Sequence, residues 1–450
     1  MRTKNILHII PTSKLINTKI FLYVLMIVVL STGCSKKPVL DDDTEYLNDT
    51  TSVFLDWSHP ALDQMRARAE IIGRIKWTPK GEVPKRDGVF PAGVDVTGIP
   101  YSSVKELDKF IGQEVSFYTY LSAVNNPRSV LYTENVGLPP YHGSNCAAYY
   151  GSVCSMTVNY ALGLDRPYST ASYKKLPFIK RVTNQDLEHA APGDMVFINP
   201  SHVFLITNIT KDDDDDIQYV YILECAGSGS FTARYSKQQF QNRLDNCDYV
   251  MYRYMDLYKL ATEPSPFPAM EANVDASMTN NALSLDRGDR VTYSKDENKV
   301  TINVLEEGYD KLEVLKIVGE DEIMVEERFY DGTPDIELTD LAAGSYKAVL
   351  EKNGGIVSDA IWFEILQTEV SFSNRGSNVD IQFYSENAIP EYVVFCGIDG
   401  TRHLIADITD AERQAGHKLI TYKESLEFLY LKVFFRGEYG RASNVIIPFE

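Results

Sequence analysis

The chain has 450 residues, and its 63 acidic side chains outnumber the 44 basic ones, giving a formal charge of −19 at pH 7. A strongly acidic protein does not bind nucleic acid through phosphate contacts, so that class of function is excluded. It does not bind anionic polymers indiscriminately either, and we expect recognition to depend on shaped sites rather than on a basic patch.

The N-terminus has the pattern of a bacterial secretion signal. Four basic residues precede the apolar run at 20–30, which is short for a membrane span and ends in small residues before Cys34. A cysteine after Ser-Thr-Gly resembles the lipobox of bacterial lipoproteins, in which the cysteine is acylated. This resemblance implies a signal peptide at 1–33, lipidation of Cys34 and an extracytoplasmic protein anchored to a bacterial membrane. A plain signal peptide or a single anchor helix is the alternative.

Removal of the signal peptide leaves 40 basic against 63 acidic residues, a formal charge of −23. Five cysteines follow Cys34 without regular spacing, so neither a disulfide framework nor a metal site is predicted, and no cofactor is expected. Residues 34–62, which include three consecutive aspartates, are predicted to form a solvated tether.

Cys154 begins a stretch in which apolar side chains recur at helical spacing from Val153 to Leu164. The spacing predicts a buried helix whose first turn carries the cysteine. A helix N-terminus stabilises a thiolate, because it has a partial positive charge and unpaired N–H groups. Cys154 is therefore a candidate nucleophile, although a buried cysteine is more commonly a small hydrophobic residue. Cys146 is the rival, but no serine and no helical spacing follow it.

A thiolate nucleophile needs a base, and the chain has seven histidines. His202 stands at the start of the apolar run 203–206, after a first apolar run at 195–198 and a short polar break. An ionisable ring at the end of a buried strand is costly to desolvate, so it is expected to have a hydrogen-bond partner or a functional role. His202 is therefore the predicted base.

The partner of His202 follows from the hairpin that the next residues predict. Residues 212–216 are five aspartates, which indicate a solvated turn, and a second apolar run follows at 219–226. A turn centred on Asp213 makes paired residue numbers sum to about 426, which places Glu224 opposite His202. A carboxylate there orients the imidazole by accepting its second N–H, while the alternative is a solvated residue at a strand end.

This ordered set, a cysteine helix followed by a hairpin with histidine and acid, resembles the NlpC-type cysteine peptidases, papain-like bacterial enzymes that cut peptidoglycan stem peptides. The resemblance covers roughly residues 65–260. It rests on Cys154-Ser155-x-x-Val158-x-Tyr160 for the nucleophile and on Gly193-Asp194-Met195-Val196 with His202-Val203 for the base.

The resemblance implies an α+β papain-like cysteine hydrolase domain at 63–261. Cys154 is then the nucleophile, His202 relays the proton, and Glu224 orients the histidine. The implied substrate is a peptidoglycan stem peptide, cut between γ-D-glutamate and the diamino acid.

Substrate binding is where the chain departs from the family. The family has an aspartate before the cysteine, which holds the free amine of the substrate together with a tyrosine and the serine, matched here by Ser155. Val153 replaces that aspartate in this chain, and Met156 stands where the family has glycine. Tyr101 ends a Gly-x-Pro-Tyr sequence like that of the family, whereas Tyr141 has the more usual distance to the nucleophile, so both tyrosines are candidates.

The C-terminal part of the chain has a different pattern of apolar and polar residues. Closely spaced prolines mark residues 262–275 as a linker. Beyond them short runs alternate between apolar and polar residues, as at 300–304, and turn signals separate the runs. The pattern predicts two all-β, immunoglobulin-like sandwich modules at 276–366 and 367–450.

The sequence thus predicts a membrane-anchored cysteine peptidase whose partners are peptidoglycan-derived peptides. The β-modules are expected to be spacers or to pack on the peptidase domain. One alternative keeps the fold but makes the chain an amidase or a transglutaminase-like acyl transferase. The other is a non-catalytic surface lipoprotein that binds a glycan or a protein through its β-modules. The intact cysteine, histidine and acid favour an enzyme.

Overall fold

The computed structural model describes residues 60–255, 257, 282–396, 402–421 and 430–446, with short gaps at 107–108, 114, 165–167, 174, 183, 199–200, 298, 330–331 and 376–377. The predicted signal peptide, Cys34 and the predicted linker lie outside these residues, as does most of the predicted tether. No helix in the described part of the chain combines the length and the hydrophobicity needed to cross a membrane.

The helices and strands are numbered here in chain order. The α-helices are α1 Pro60–Arg74, α2 Phe117–Asn125, α3 Val130–Thr133, α4 Cys154–Leu162, α5 Thr170–Tyr173, α6 Lys237–Asp245 and α7 Asp410–Ala415. Short 3-10 helices lie at Ile111–Gln113, Leu187–His189 and Lys295–Glu297. The first thirteen strands are β1 Lys76–Trp77, β2 Val83–Lys85, β3 Gly88–Phe90, β4 Val96–Thr97, β5 Lys105–Glu106, β6 Lys109–Phe110, β7 Tyr141–His142, β8 Ile179–Arg181, β9 Asp194–Ile198, β10 His202–Lys211, β11 Ile217–Ala226, β12 Gly229–Ser236 and β13 Tyr249–Tyr254. The later strands are β14 Leu283–Leu285, β15 Val291–Ser294, β16 Lys299–Val304, β17 Lys311–Val318, β18 Asp321–Phe329, β19 Asp335–Thr339, β20 Gly344–Lys352, β21 Gly355–Ile356, β22 Ile361–Leu366, β23 Thr368–Arg375, β24 Asn378–Ser385, β25 Ile389–Cys396, β26 Arg402–Asp407, β27 His417–Thr421, β28 Tyr430–Arg436 and β29 Arg441–Ile446.

A six-stranded antiparallel sheet forms the body of the N-terminal unit, which we define as residues 60–257. Its strand order is β12-β11-β10-β9-β13-β8. Successive side chains of a strand point to opposite faces, so the sheet contributes to two separate cores. One face, with Leu205 and Leu223, packs against α1 and α4, and the other, with Phe204 and Ile222, packs against α6.

The predicted α+β papain-like class is wrong, because strand dominates the structure, at 46% against 20% helix. The described helices that follow α1 in the N-terminal unit have only four to nine residues each. The reason lies in the side chains: β-branched and aromatic residues fill long runs such as 202–211 and 217–226, and these runs pair into one extended sheet. Helices α1 and α4 pack on one face of this sheet, and α6 packs on the other.

The predicted β-sandwich character of the C-terminal part is confirmed. In module 1, defined as residues 282–366, the sheets β14-β16-β19 and β15-β22-β20-β17-β18 enclose a core that includes Ile302. In module 2, residues 368–446, the sheets β23-β24-β27 and β26-β25-β28-β29 enclose a core that includes Ile381. The predicted boundary between the modules falls between β22 and β23.

Module 1 is docked on the N-terminal unit through buried polar contacts. Asn126, the C-cap residue of α2, donates from Nδ2 to Asn303 Oδ1 at 2.7 Å and to the Leu285 carbonyl oxygen at 3.2 Å. The hydroxyl of Tyr150 donates to the Arg287 carbonyl oxygen at 2.5 Å. Without these contacts the Asn126 amide nitrogen and Asn303 Oδ1 would be buried unpaired, so the contacts help to fix how the two parts sit together.

Gly288 allows the close approach between module 1 and α2. Its φ of +91° is in a region that other residues rarely adopt, and a Cβ here would lie 2.2 Å from the carbonyl oxygen of Thr119. Any other residue would push module 1 away from the helix.

Candidate active site

Helix α4 begins at Cys154, as the apolar spacing predicts, and all nine of its residues are buried. The N-cap residue, Val153, has no side-chain group to accept the first N–H groups of the helix. The Met156 N–H bonds to the Val153 carbonyl oxygen at 3.0 Å, and the N–H groups of Cys154 and Ser155 stay available for other acceptors. Two backbone N–H groups, those of Ser155 and Val203, are directed at the Cys154 sulfur. The start of the helix is therefore a site that favours negative charge on sulfur.

The structure brings Cys154, His202 and Glu224 together. His202 is the first residue of β10, and its Nε2 lies 2.7 Å from Glu224 Oε1 on β11. The imidazole also lies close enough to the Cys154 thiol to shift its pKa, while the thiol donates to the Ser201 carbonyl oxygen at 3.7 Å. Because Glu224 occupies Nε2, Nδ1 is the ring nitrogen left for the thiol. The Glu224 side chain is 6% exposed and that of His202 is 26% exposed, so solvent reaches the imidazole but hardly the carboxylate.

The predicted register of the β10–β11 hairpin is wrong by two residues, since Leu205 pairs with Leu223. The turn is centred later than predicted, because Asp212 Oδ1 accepts two backbone N–H bonds inside it. A slip of two residues keeps the side chains at the His202 end of the hairpin, before the bulge between Ile206 and Asn208, on their predicted faces. Glu224 therefore still shares a face with His202, and it reaches the ring diagonally rather than from directly opposite.

The three groups shift each other's protonation. Burial alone would raise the pKa of the Cys154 thiol, but the bond to His202 and the two backbone N–H groups lower that pKa below its ordinary value. Burial alone would lower the pKa of His202, but its bonds to Cys154 and Glu224 raise it to about 9. Burial opposes the charged form of Glu224 as well, yet hydrogen bonds from His202 and Arg243 bring the pKa of its carboxyl below the usual range. At neutral pH the arrangement favours a thiolate beside an imidazolium.

Arg243 is a residue of this cluster that the sequence reasoning missed. It lies on α6, and its Nη2 donates to Glu224 Oε1 at 2.7 Å, the same oxygen that receives the His202 ring. An arginine on a short polar helix is ordinary, so its sequence neighbourhood carries no signal. Arg243 comes close to Glu224 only because β12 pairs with β11 and α6 then packs against the same sheet.

The two candidate tyrosines lie in different surroundings. Tyr101 pairs through an isolated bridge with Ser152, two residues before the nucleophile. Burial raises the pKa of Tyr101, and the negative charge of Cys154 raises it further, so this hydroxyl is within electrostatic range of the sulfur. Tyr141 instead donates its hydroxyl to Glu134 Oε2 at 3.1 Å. The bridge to Ser152 and the electrostatic effect of Cys154 favour Tyr101 over Tyr141 as the tyrosine nearer the nucleophile.

The third candidate for substrate binding, Ser155, is buried within α4. Its N–H group is directed at the Cys154 sulfur, and its carbonyl oxygen accepts the Tyr173 hydroxyl at 2.9 Å. In this arrangement the backbone N–H of Ser155 stabilises negative charge on the Cys154 sulfur, and the Tyr173 hydroxyl fixes the position of the Ser155 carbonyl group.

Two other cysteines near the site lack the features of a nucleophile. The thiol of Cys146 has its pKa raised by burial, and the groups acting on it include Lys105 but no histidine. Cys225 is fully buried next to Glu224, and burial raises the pKa of its thiol far above the usual range. Throughout the residues that the structure describes, no three His, Cys, Asp or Glu side chains are grouped to hold a metal ion.

No protein-family model and no curated protein matches this sequence. Among solved structures, the chain is similar to the NIE-MG1 domains of Escherichia coli alpha-2-macroglobulin, at 14% identity and a TM-score of 0.17, over 37% of this chain and 96% of that one. It is similar to domains 3 and 4 of rat CD4, at 10% identity and a TM-score of 0.21, over 35% and 97%. It is also similar to the fibronectin(III)-like modules of Clostridium thermocellum CbhA, at 13% identity and a TM-score of 0.20, over 37% and 93%. Similarity at these TM-scores decides neither the fold nor the function of this chain.

Proposed function

We propose that the chain is a cysteine hydrolase that cleaves peptidoglycan stem peptides, with Cys154 as nucleophile, His202 as acid and base, and Glu224 as the orienting acid. The observation that carries the proposal is the arrangement of three groups: a thiol at a helix start, an imidazole close enough to lower the pKa of that thiol, and a buried carboxylate 2.7 Å from the imidazole. Such an arrangement activates a thiol for attack on an acyl carbon.

The reaction proceeds through two acyl-transfer steps. The Cys154 thiolate attacks the carbonyl carbon of the scissile amide, and the carbonyl electron pair moves onto its oxygen. The backbone N–H of Cys154, free at the first position of the helix, stabilises that oxyanion. The imidazolium of His202 gives its Nδ1 proton to the amide nitrogen as the C–N bond breaks, which releases an amine and leaves a thioester. His202 then takes a proton from water, the hydroxide hydrolyses the thioester, and the resting pair is restored.

The class of substrate is proposed from the resemblance of the cysteine and histidine motifs to NlpC-type peptidases. The position of Tyr101 near the sulfur supports a role for its hydroxyl in holding the substrate. Val153 stands where that family carries an amine-binding aspartate. We therefore propose that the bond between γ-D-glutamate and the diamino acid is cut with little dependence on a free N-terminal amine.

The test uses the full chain, purified in detergent and incubated with purified muropeptides, with products identified by mass. Cys154→Ala should abolish cleavage, a loss of about 10³-fold or more, and Cys146→Ala, the matched control, should leave most of it. Full activity of Cys154→Ala would overturn the proposal. Transfer of the acyl group to an added amine, with little hydrolysis, would instead identify an acyl transferase at the same cysteine.

A further inference from the structure

One carboxylate oxygen at this site accepts two charged donors. Glu224 Oε1 lies 2.7 Å from His202 Nε2 and 2.7 Å from Arg243 Nη2. The Glu224 side chain is 6% exposed, so water hardly screens the contact between the three groups. In the triad described above, the acid orients the imidazole; here the acid is itself shared with a permanent cation.

Arg243 is held in place independently of Glu224. Its guanidinium stacks over the Phe204 ring at 4.5 Å and over the Tyr235 ring at 5.6 Å, and its Nη1 donates to the Tyr235 hydroxyl at 3.1 Å. The helix that carries it is fixed at its start by a capping box between Ser236 and Gln239. A planar guanidinium stacked in this way presents its donors in one direction. The stacking therefore orients the Arg243 guanidinium towards the Glu224 carboxylate and restricts its rotation into solvent.

We propose that Arg243 is a positioning residue of the hydrolase, which sets through Glu224 how firmly His202 holds its proton. The inference rests on the proposed function, because it concerns the proton that His202 passes to the leaving group. A bare buried carboxylate would bind the imidazolium tightly and slow that transfer. A guanidinium on the same oxygen neutralises part of the carboxylate charge, so the proton stays both present and transferable.

The charged and titratable groups around this unit support that direction. His202 faces the Cys154 thiolate from α4 and the Glu224 carboxylate from β11, and Arg243 approaches that carboxylate from α6. The other titratable neighbours are the phenol of Tyr235, beside Arg243, and the buried thiol of Cys225, beside Glu224. Arg243 is the permanent cation among these groups, so its removal makes the field at His202 more negative.

The test is the pH dependence of alkylation of Cys154 by iodoacetamide, followed by peptide mapping. This reaction needs no substrate. The wild-type chain should react in two steps, first as the thiolate forms and again near pH 9, as His202 loses its proton. Arg243→Met, which keeps the apolar stem over Phe204 but removes the cation, should move the second step to higher pH. Arg243→Gln provides a second neutral variant that can still donate to Glu224, and it should move the step in the same direction.

Two controls separate positioning from a structural role. Arg234→Met removes an arginine stacked at 4.6 Å over Tyr219 on the same sheet, and it should leave the second step where it is. In a Glu224→Gln background, Arg243→Met should add no further shift, because its route to His202 is gone. The inference is wrong if Arg243→Met and Arg243→Gln fold but do not move the step, or if Arg234→Met moves it equally.

Peptide cleavage is measured on the same variants and answers a separate question. If the wild-type chain cleaves muropeptides, Arg243→Met should lower kcat by about tenfold with little change in KM, because the proton transfer and not binding is affected. Failure of the wild-type chain to cleave any peptide would overturn the proposed function, whereas an unmoved alkylation step would overturn the role of Arg243 alone.

Discussion

A thiol that gives its proton to a neighbouring imidazole is a nucleophile only over the pH range in which both charges persist. For Cys154 the lower limit is set by a pKa that its hydrogen bonds bring below the ordinary thiol value. The upper limit is set by His202, whose pKa is raised to about 9. Between these limits the imidazolium also carries the proton that the leaving group needs.

Hydrolysis should therefore rise as the Cys154 thiolate forms and fall as the pH increases through about 9, where His202 becomes neutral. Glu224→Gln removes a negative charge that favours the imidazolium, so the alkaline limb should move to lower pH. The measurement is kcat/KM against pH for both proteins. An unchanged alkaline limb in Glu224→Gln would show that Glu224 does not act on His202. We expect this variant to lose less activity than His202→Ala, because an amide still accepts the ring N–H.

The two tyrosines give a second expectation at this scale. Tyr101→Phe should raise KM for the stem peptide by about tenfold, since a substrate hydrogen bond near the sulfur is lost. Tyr141→Phe is the matched control, because its hydroxyl is bonded to Glu134, and it should leave KM nearly unchanged. The opposite ranking would assign the substrate contact to Tyr141.

At the scale of elements, α4 is a helix whose N-cap residue cannot cap it. Val153→Asn and Val153→Asp each introduce an oxygen that can accept the Met156 N–H, which otherwise makes only an i→i−3 bond to the Val153 carbonyl oxygen at 3.0 Å, so each should raise the free energy of unfolding by about 1 kcal/mol. The two variants should differ in thiol chemistry. The aspartate places a negative charge beside Cys154 and should raise the pKa of the thiol, whereas the neutral asparagine should not.

Urea denaturation and iodoacetamide alkylation measure the two effects separately. Equal stabilisation with slower alkylation at neutral pH in Val153→Asp alone is the expected result. Equal thiol reactivity in both variants would show that charge at this position does not reach the sulfur.

The features that sequence predicted correctly are those with local causes. Helix α4 follows from apolar spacing, and the start of β10 at His202 follows from a short polar break between two apolar runs. The register of the hairpin was missed by two residues, because it depends on the hydrogen bonds that Asp212 makes inside the turn. The papain-like class failed because it was carried over from a few motif residues, which do not determine how much of a chain forms sheet.

Arg243 could not be predicted for a different reason. Its contact with Glu224 joins residues on α6 and β11, with all of β12 between them. No periodicity relates the two positions, since a turn, a strand and a capping box together decide where the guanidinium ends. The contact between Arg243 and Glu224 is thus a property of tertiary structure. It decides how much of the negative charge of Glu224 is neutralised at the candidate site.

At the scale of the whole molecule, the N-terminal unit and module 1 share hydrogen bonds that are fully withdrawn from water. Asn126→Ala should destabilise the protein by about 1–3 kcal/mol, because it leaves the buried Oδ1 of Asn303 without its donor, although the Leu285 carbonyl oxygen still accepts the Gly288 N–H at 3.0 Å. Asn242→Ala, an exposed position on α6, is the control and should change the stability little. The measurement is the urea midpoint of the full chain. Equal effects of the two variants would mean that the buried contact contributes little to stability.

The docking of module 1 on α2 has a consequence for chain continuity. Residues 257 and 282 are the nearest described ends of the two parts, and the hydrogen bonds described above between the parts are made by residues outside the segment that joins them. A protease cut in that segment should thus leave a nicked protein that elutes as one species under native conditions. In this respect the two parts resemble the subunits of a heterodimer. The N-terminal unit and the C-terminal part, expressed as two separate polypeptides, should therefore associate into one complex.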